Sequence, residues 1–329
     1  MDEADEDREA WPSVTVIIPV LNEARHLADA VAMVQRQDYP GELDVVLAVG
    51  PSDDGTEEIA ARISAADARV TTVPNPSGRT PQGLNAAIAA ARGEIVVRVD
   101  GHSELPPDYV RVAVAELRRV GADNVGGVMD AQGRSPFERA VACAMKSPLG
   151  VGGARFHVGG KASRVETVYL GVFRREALER VGGYDEHFAR AQDWEMNHRI
   201  RQGGGVVWFT PDLKVTYRPR STVRRLADQY FNYGRWRRVV ARHHQGTMNV
   251  RYLAPPVMVV VVGTALAGAV LEPRLLLIPL TYAGGVLLGG VVISRGESPL
   301  TRLLTPAVIT VMHWSWGVGF LTSPRRIAR

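Results

Sequence analysis

In this 329-residue chain the residues best suited to chemistry are a few acids and one histidine that follow apolar runs. Asp100-Gly101-His102 comes directly after IVVRV, residues 95–99. A carboxylate oxygen there suits a hard divalent cation such as Mg2+, and the imidazole tilts the choice toward Mn2+. A second group, Gln192-Asp193-Trp194-Glu195, opens a helical pattern. A carboxylate is one of the side chains that can move a proton in general acid-base chemistry. The helix dipole alone also favours acids in a first turn. Glu195 lies about 200° round the helix from Asp193, so the two cannot both face one cleft. Two more polar clusters, Pro19-Val20-Leu21-Asn22-Glu23 and Ser52-Asp53-Asp54-Gly55-Thr56, also follow apolar runs.

The elements around these clusters alternate. VTVIIPV (14–20), LDVVLAV (43–49), residues 69–73 and IVVRV read as strands, and patterns of spacing three and four between them read as helices. Thr80-Pro81 reads as an N-cap with a first-turn proline. Continuous apolar strands separated by helices imply a parallel sheet covered on both faces, whose ligands bind beyond the carboxyl ends of the strands. Three of the four clusters fall at such ends. There is no GxGxxG after the first strand and no GxxxxGK[ST], so a dinucleotide dehydrogenase and a P-loop enzyme are unsupported. The single cysteine, Cys143, rules out an intramolecular disulfide, and no zinc-type spacing exists.

Charge is uneven along the chain. Residues 1–10 carry six acids against Arg8 and read as a solvated tail without signal-peptide features, which implies a cytoplasmic start. From Lys214 to Arg251 ten bases face only Asp228. Within that stretch Val223, Leu226, Tyr230 and Tyr233 recur at helical spacing, which suits an amphipathic helix on an anionic membrane leaflet better than nucleic acid. Two uncharged stretches follow, Leu253 to Leu271 and Leu275 to Ile293, joined by Glu272-Pro273-Arg274. Each is long enough to cross a bilayer of roughly 30 Å. A third, Leu303 to Leu321, carries Pro306, His313, Trp314 and Trp316 and ends in the basic tail Arg325-Arg326. Crossing would put that tail outside, against the positive-inside tendency, whereas an interfacial or re-entrant course would keep it inside. Both courses stand open in the sequence. The domains expected are an acidic tail at 1–12, a catalytic domain at 13–220, a basic interfacial region at 221–252 and a membrane region at 253–329.

The order PVLNE (19–23), SDDGT (52–56), Asp100-Gly101-His102, REALERVGGYDE (175–186), QDWEMNHRI (192–200) and YGRW (233–236) resembles inverting family 2 glycosyltransferases with the GT-A fold. RVDGH, RPRST and QYFNYGRW look most like the membrane-attached glucosyltransferases of succinoglycan-type exopolysaccharide synthesis. The resemblance implies a nucleotide-diphospho-sugar transferase domain with a mostly parallel sheet, then an interfacial helix and C-terminal transmembrane helices. It implies a nucleotide-sugar donor, a divalent cation (Mn2+ or Mg2+), a lipid-linked acceptor and contact with membrane lipids, at the cell membrane with the catalytic domain cytoplasmic. Nucleic acid is not expected as a partner.

Carried over residue by residue, Asp193 matches the catalytic carboxylate, and Asp100 with His102 matches the cation ligands. Pro19, Asn22, Glu23, Asp54, Asn75, Arg79, Asn85 and Asp100 are the donor-binding candidates. The family's base-holding acid would fall at Val49 or Gly50, so Asp53 or Asp54 could substitute or else shape the loop. Gln192, Arg235 and Trp236 are the candidates for acceptor or diphosphate. Asn232 stands where processive members carry Gln, with Gln229 one turn earlier, so processive synthesis is not supported. The Gly-rich stretch Gly150 to Lys161 reads as an acceptor loop, with His157 and Lys161 as contacts, or as a plain flexible loop. Transfer of one sugar to a lipid-linked saccharide is the function implied. A polyprenyl-phosphate sugar synthase and a catalytically inactive membrane scaffold are the alternatives.

Overall fold

The computed structural model describes residues 11–101 and 103–325; the acidic start and His102 lie outside the described residues. In chain order the elements are β1 (Val14–Val20), α1 (Leu27–Gln35), β2 (Leu43–Val49), α2 (Thr56–Ala66), β3 (Val70–Pro74), α3 (Thr80–Ala90), β4 (Ile95–Arg98), α4 (Tyr109–Val120) and β5 (Asn124–Ala131). There follow α5 (Pro136–Met145), α6 (Pro148–Val151), α7 (Arg155–Val158), β6 (Ser163–Arg164), β7 (Tyr169–Arg174), α8 (Arg175–Val181), α9 (Gln192–Gln202) and β8 (Val207–Tyr217). The last part is helical: α10 (Val223–His243), α11 (Val250–Gly268), a 3-10 turn at Pro273–Leu276, α12 (Leu277–Ile293) and α13 (Pro299–Leu321).

The chain forms two units. Among the described residues, one holds those up to Met129 together with Gly159–Thr216; the other holds Asp130–Val158 and those from Tyr217 onward. The first is an α/β unit on an eight-stranded sheet of order β3-β2-β1-β4-β7-β5-β8-β6. Strands β1 to β4 are mutually parallel, with Val16 opposite Val45 on one side and Val97 on the other. The sheet turns antiparallel where β4 meets β7.

Both faces of the parallel part are covered, which is why its strands lack a polar alternation. Val16, Ile18, Leu47 and Val97 face Leu27 and Val31 of α1 and Val110 and Val114 of α4. Ile17, Val46 and Val96 face Leu84 of α3, Leu178 of α8 and Met196 and Ile200 of α9. Side chains alternate along a strand, so Arg98, two residues after Val96, emerges on the α9 side. α3 differs from its sequence reading. Thr80 is already helical and extended Arg79 holds the cap position, with no side-chain cap.

The second unit contains three helices long and apolar enough to cross a membrane: Val250–Gly268, Pro273–Ile293 and Pro299–Leu321. Glu272 caps the turn between the first two through Arg274 N at 3.1 Å. α10 packs on α13, with Gly234 against Trp316 and Phe231 against Gly319, while Val223 of its apolar stripe is exposed. The Gly150 to Lys161 stretch is more ordered than a plain loop, since it holds part of α6 and all of α7.

Candidate active site

Arg98 is the centre of the site. It ends β4 only 5% exposed, in a position where period-two alternation would place an aliphatic residue. Burying a guanidinium costs several kcal/mol unless carboxylates pair with it, and two do. Its Nη2 donates to Asp100 Oδ1 at 3.1 Å, and its Nη1 donates to Asp193 Oδ1. Asp100 follows β4 by two residues, and Asp193 is the second residue of α9. One guanidinium thus ties the strand end to the helix start.

Both carboxylates remain reachable, with side chains 25% and 34% exposed against 6% for Arg98. Burial pushes the Asp193 carboxyl up; the Arg98 guanidinium pulls it down, Asp100 pushes it up again, and the net direction is upward. A raised value makes Asp193 a better proton acceptor than an ordinary surface aspartate. Burial works against the charge on Arg98, but Asp193 and Asp100 more than offset it and hold it protonated. The Tyr184 phenol stands beside the same group, near enough to act on both Asp193 and Arg98, and burial raises it well above its usual value.

Helix α9 sorts its two acids by face. Glu195 is 1% exposed and takes a forked contact from Arg199, Nη2 to Oε2 at 2.7 Å. Arg199 Nη2 also donates to the Gly183 carbonyl at 2.8 Å. Glu195 is thus held by a buried ion pair with Arg199 rather than by the helix dipole alone. The residue before α9, Ala191, has φ 60. A left-handed backbone costs a residue with a Cβ roughly 1–2 kcal/mol, and here that strain lies two residues from Asp193.

The β1 and β2 loops interlock through side chains that serve the backbone. Asn22, at φ 55, accepts from Asp53 N at 3.1 Å, and its own N donates to Ser52 Oγ at 3.1 Å. Asp54 accepts from Ala24 N at 3.0 Å and from the Thr56 hydroxyl at 2.6 Å, and this bonding lowers its pKa. Of the two roles weighed for Asp54, loop shaping engages both its oxygens. Glu23 N donates to Thr56 Oγ1 at 2.8 Å. The Glu23 side chain lies over Gly101, where a Cβ would stand 3.2 Å from Glu23 Cγ. Glu23 and Asp100 therefore border the same spot. Pro19 lies within β1, opposite Ala48.

Other sequence candidates are engaged elsewhere. Asn75 is buried, donates to the Arg79 carbonyl at 3.1 Å and accepts from Ser77 Oγ at 2.9 Å, as a turn asparagine does. Asn85 clamps the backbone of Tyr184, accepting from its N and donating to its O, both at 2.8 Å. Its contribution is thus to hold the loop that carries Tyr184. Gln192 opens α9 half-buried next to Asp193.

Arg235 and Trp236 belong to the helical unit. Trp236 is 7% exposed, and the Arg235 guanidinium lies 5.5 Å from the Phe231 ring centre. His157 Nδ1 is buried, and burial lowers its pKa to about 3, which favours the neutral imidazole. Lys161 is exposed.

Arg98 is the member of this cluster that motif reading passed over. A signal for it existed, because a lone cation inside IVVRV demands a paired anion.

The profile of Glycosyl transferase family 2 matches residues 15–182, which contain the interlocked loops, Arg98 and Asp100. The chain belongs to that family. It is 32% identical over 323 residues to the succinoglycan biosynthesis protein ExoA of Rhizobium meliloti (strain 1021), covering 96% of this chain and 97% of that one. A Methanococcus voltae enzyme is 22% identical over 253 residues, 74% of this chain and 77% of its own. That enzyme is a dolichyl N-acetyl-alpha-D-glucosaminyl phosphate 3-beta-D-2,3-diacetamido-2,3-dideoxy-beta-D-glucuronosyltransferase. Among solved structures, the mannosyltransferase PcManGT of Pyrobaculum calidifontis, in complex with GDP-Man and Mn2+, shares the fold. It aligns with TM-score 0.61 and 22% identity over 92% of this chain and 86% of the other. The GT-A fold and the family 2 glycosyltransferase assignment follow, and the family's homologues act in exopolysaccharide and lipid-linked glycan synthesis.

Proposed function

We propose that this family 2 glycosyltransferase moves one sugar, with inversion, from a nucleotide-sugar donor to a lipid-linked saccharide at the cytoplasmic face of the cell membrane. The product serves cell-envelope or exopolysaccharide assembly. The observation that carries the reading is the tie between Asp100 and Asp193 through Arg98. That tie supports reading Asp193 as the proton acceptor and Asp100 as the carboxylate at the donor diphosphate. In the reaction the acceptor hydroxyl attacks the anomeric carbon, the bond from that carbon to the diphosphate breaks, and the hydroxyl proton passes to Asp193. Asp193 acts by holding the carboxylate toward the hydroxyl as attack proceeds.

Pro19, Asn22 and Glu23 border the donor, and Gln192 lies beside the base on the acceptor side. Among the described residues no three His, Cys, Asp or Glu side chains gather as a metal site. Asp100, part-exposed and with Glu23 close by, nevertheless suits Mn2+ or Mg2+, which are commonly held by one or two carboxylates plus substrate phosphates. Asp100 and His102 would hold that cation, which when bound neutralises charge on the departing diphosphate. Full-length similarity to a succinoglycan biosynthesis protein and three apolar helices support the membrane setting.

A thermal-shift panel of nucleotide sugars, each with Mn2+ and with a chelator, should identify a donor that stabilises the protein. Proton NMR of the transfer product should then show the anomeric configuration inverted. A retained configuration would overturn the mechanism, and absence of any stabilising nucleotide sugar would overturn the donor class.

A further inference from the structure

The helices of the second unit differ in where their ends lie. α11 starts at Val250, seven residues after α10, and α12 ends at Ile293. If α11 and α12 form a membrane hairpin, both of these ends are on the α10 side and the Glu272 to Arg274 turn is on the other. α13 is 23 residues long, roughly 34 Å at 1.5 Å rise per residue. A third crossing would carry its far end down to that turn.

The contacts of α13 run otherwise. At its start, Pro306 packs on Gly290, near the end of α12. Just before the helix, Glu297 pairs with Arg139 of α5 at 3.6 Å. At its end, Gly317 packs on Pro255 and Val259, in the first half of α11, and Trp316 stacks with Tyr252 at a ring distance of 6.4 Å. Arg238 donates to the carbonyls of Phe320 and Leu321 at 2.9 and 2.8 Å, and Arg242 donates to those of Ser323 and Pro324 at 3.0 and 2.6 Å. Both ends of α13 are therefore level with the α10 end of the hairpin and held by arginines. Guanidinium groups at both ends of one helix and on one side are incompatible with a hydrocarbon slab of roughly 30 Å between those ends.

We propose that α13, although long and apolar enough to span, lies along the membrane interface on the α10 side. The chain then crosses twice, and Arg325 ends on the side that bears the basic helix, in accord with the positive-inside rule. The buried face of α13 includes Thr301, Thr305, Val308 and Met312, while Leu300 and Leu303 stand 53% and 74% exposed. That exposed leucine edge is the surface that faces acyl chains, as in an interfacial amphipathic helix. The inference rests on the membrane-anchored reading above.

Side-specific labelling tests it. In the full-length Cys143→Ser protein, single cysteines are introduced as Arg62→Cys in α2, Arg274→Cys in the hairpin turn and Arg325→Cys just beyond α13. Each is treated with a membrane-impermeant maleimide in right-side-out and inside-out vesicles. The expected result is labelling of 274 from one side only, and of 62 and 325 from the other only. Labelling of 325 together with 274 would overturn the in-plane course while leaving the hairpin intact. Labelling of 274 together with 62 would show that the hairpin does not cross, so the membrane-spanning reading itself would fail. A reporter fused to the C-terminus of the otherwise unaltered chain gives the same readout should a cysteine variant fail to accumulate, and its appearance on the 274 side would equally overturn the proposal.

Discussion

Arg98 in the α/β unit and Arg238 and Arg242 in the helical unit are the same side chain put to different uses. Arg98 is buried and binds carboxylates from two elements. Arg238 and Arg242 bind the carbonyls left unpaired where α13 ends. In the first case a charge is neutralised away from water, so removing it strands two acids that repel each other. In the second case a charge meets a helix dipole at a solvated edge, an interaction typically worth about 0.3–1 kcal/mol. The number of arginines in a region therefore says little about what they do. The partner and the local dielectric decide it.

This contrast is open to experiment. The largest effect is expected for Asp193→Asn, whose transfer rate should fall by about 10²–10⁴-fold, the usual share of a general base, with donor affinity retained by calorimetry. Wild-type turnover in that variant would remove Asp193 from the mechanism. Next is Arg98→Met, for which we expect kcat to fall by about 10²-fold through misplacement of Asp193. KM for the donor should change less than kcat, and Arg98→Lys should recover part of the loss. Equal rates for Arg98→Met and wild type would reduce Arg98 to a packing residue.

Asn85→Ala comes third. Losing both hydrogen bonds to Tyr184 should cost about 1–2 kcal/mol, visible as a lowered Tm in detergent. An unchanged melting curve would show that the Tyr184 loop holds without the clamp. The smallest effect is expected for Arg238→Ala and Arg242→Ala, about 0.5 kcal/mol each with kcat unchanged. If either reduced kcat as much as Arg98→Met, the contrast between the two kinds of arginine would collapse.

Much of the α/β unit was legible because its signals are local. β1 and β2 run 14–20 and 43–49 both in the pattern and in the structure, since an apolar β-branched run bounded by polar residues has few other stable states. Asp100 and Asp193 were legible as chemistry from their place after a strand and at a helix start. Arg98 was harder to read, because its partners are 2 and 95 residues away and only the sheet's alternation turns it toward α9. The contact of Asn85 was hard to read for a related reason. An amide on a helix near the donor side serves a ligand or a backbone equally well, and Tyr184 lies 99 residues on.

In the helical unit, hydropathy identified three apolar segments but could not say how they run, because length and composition are the same for a spanning helix and one that lies flat. Asp130–Val158 joins that unit, although nothing in its composition marks it as membrane-associated.

By itself, then, the sequence determined the strand and helix alternation, the acids at the strand ends, the charge break at the membrane and the family. The first three follow from periodicity or composition within a short window, and the family from the order of motifs spread between Pro19 and Trp236. Only the tertiary structure decided that Arg98 joins Asp100 to Asp193, that Glu195 turns inward, and that α13 ends beside Arg238 and Arg242. Those outcomes depend on which distant residues share a buried, low-dielectric space, where an unpaired charge or carbonyl is too costly to leave alone.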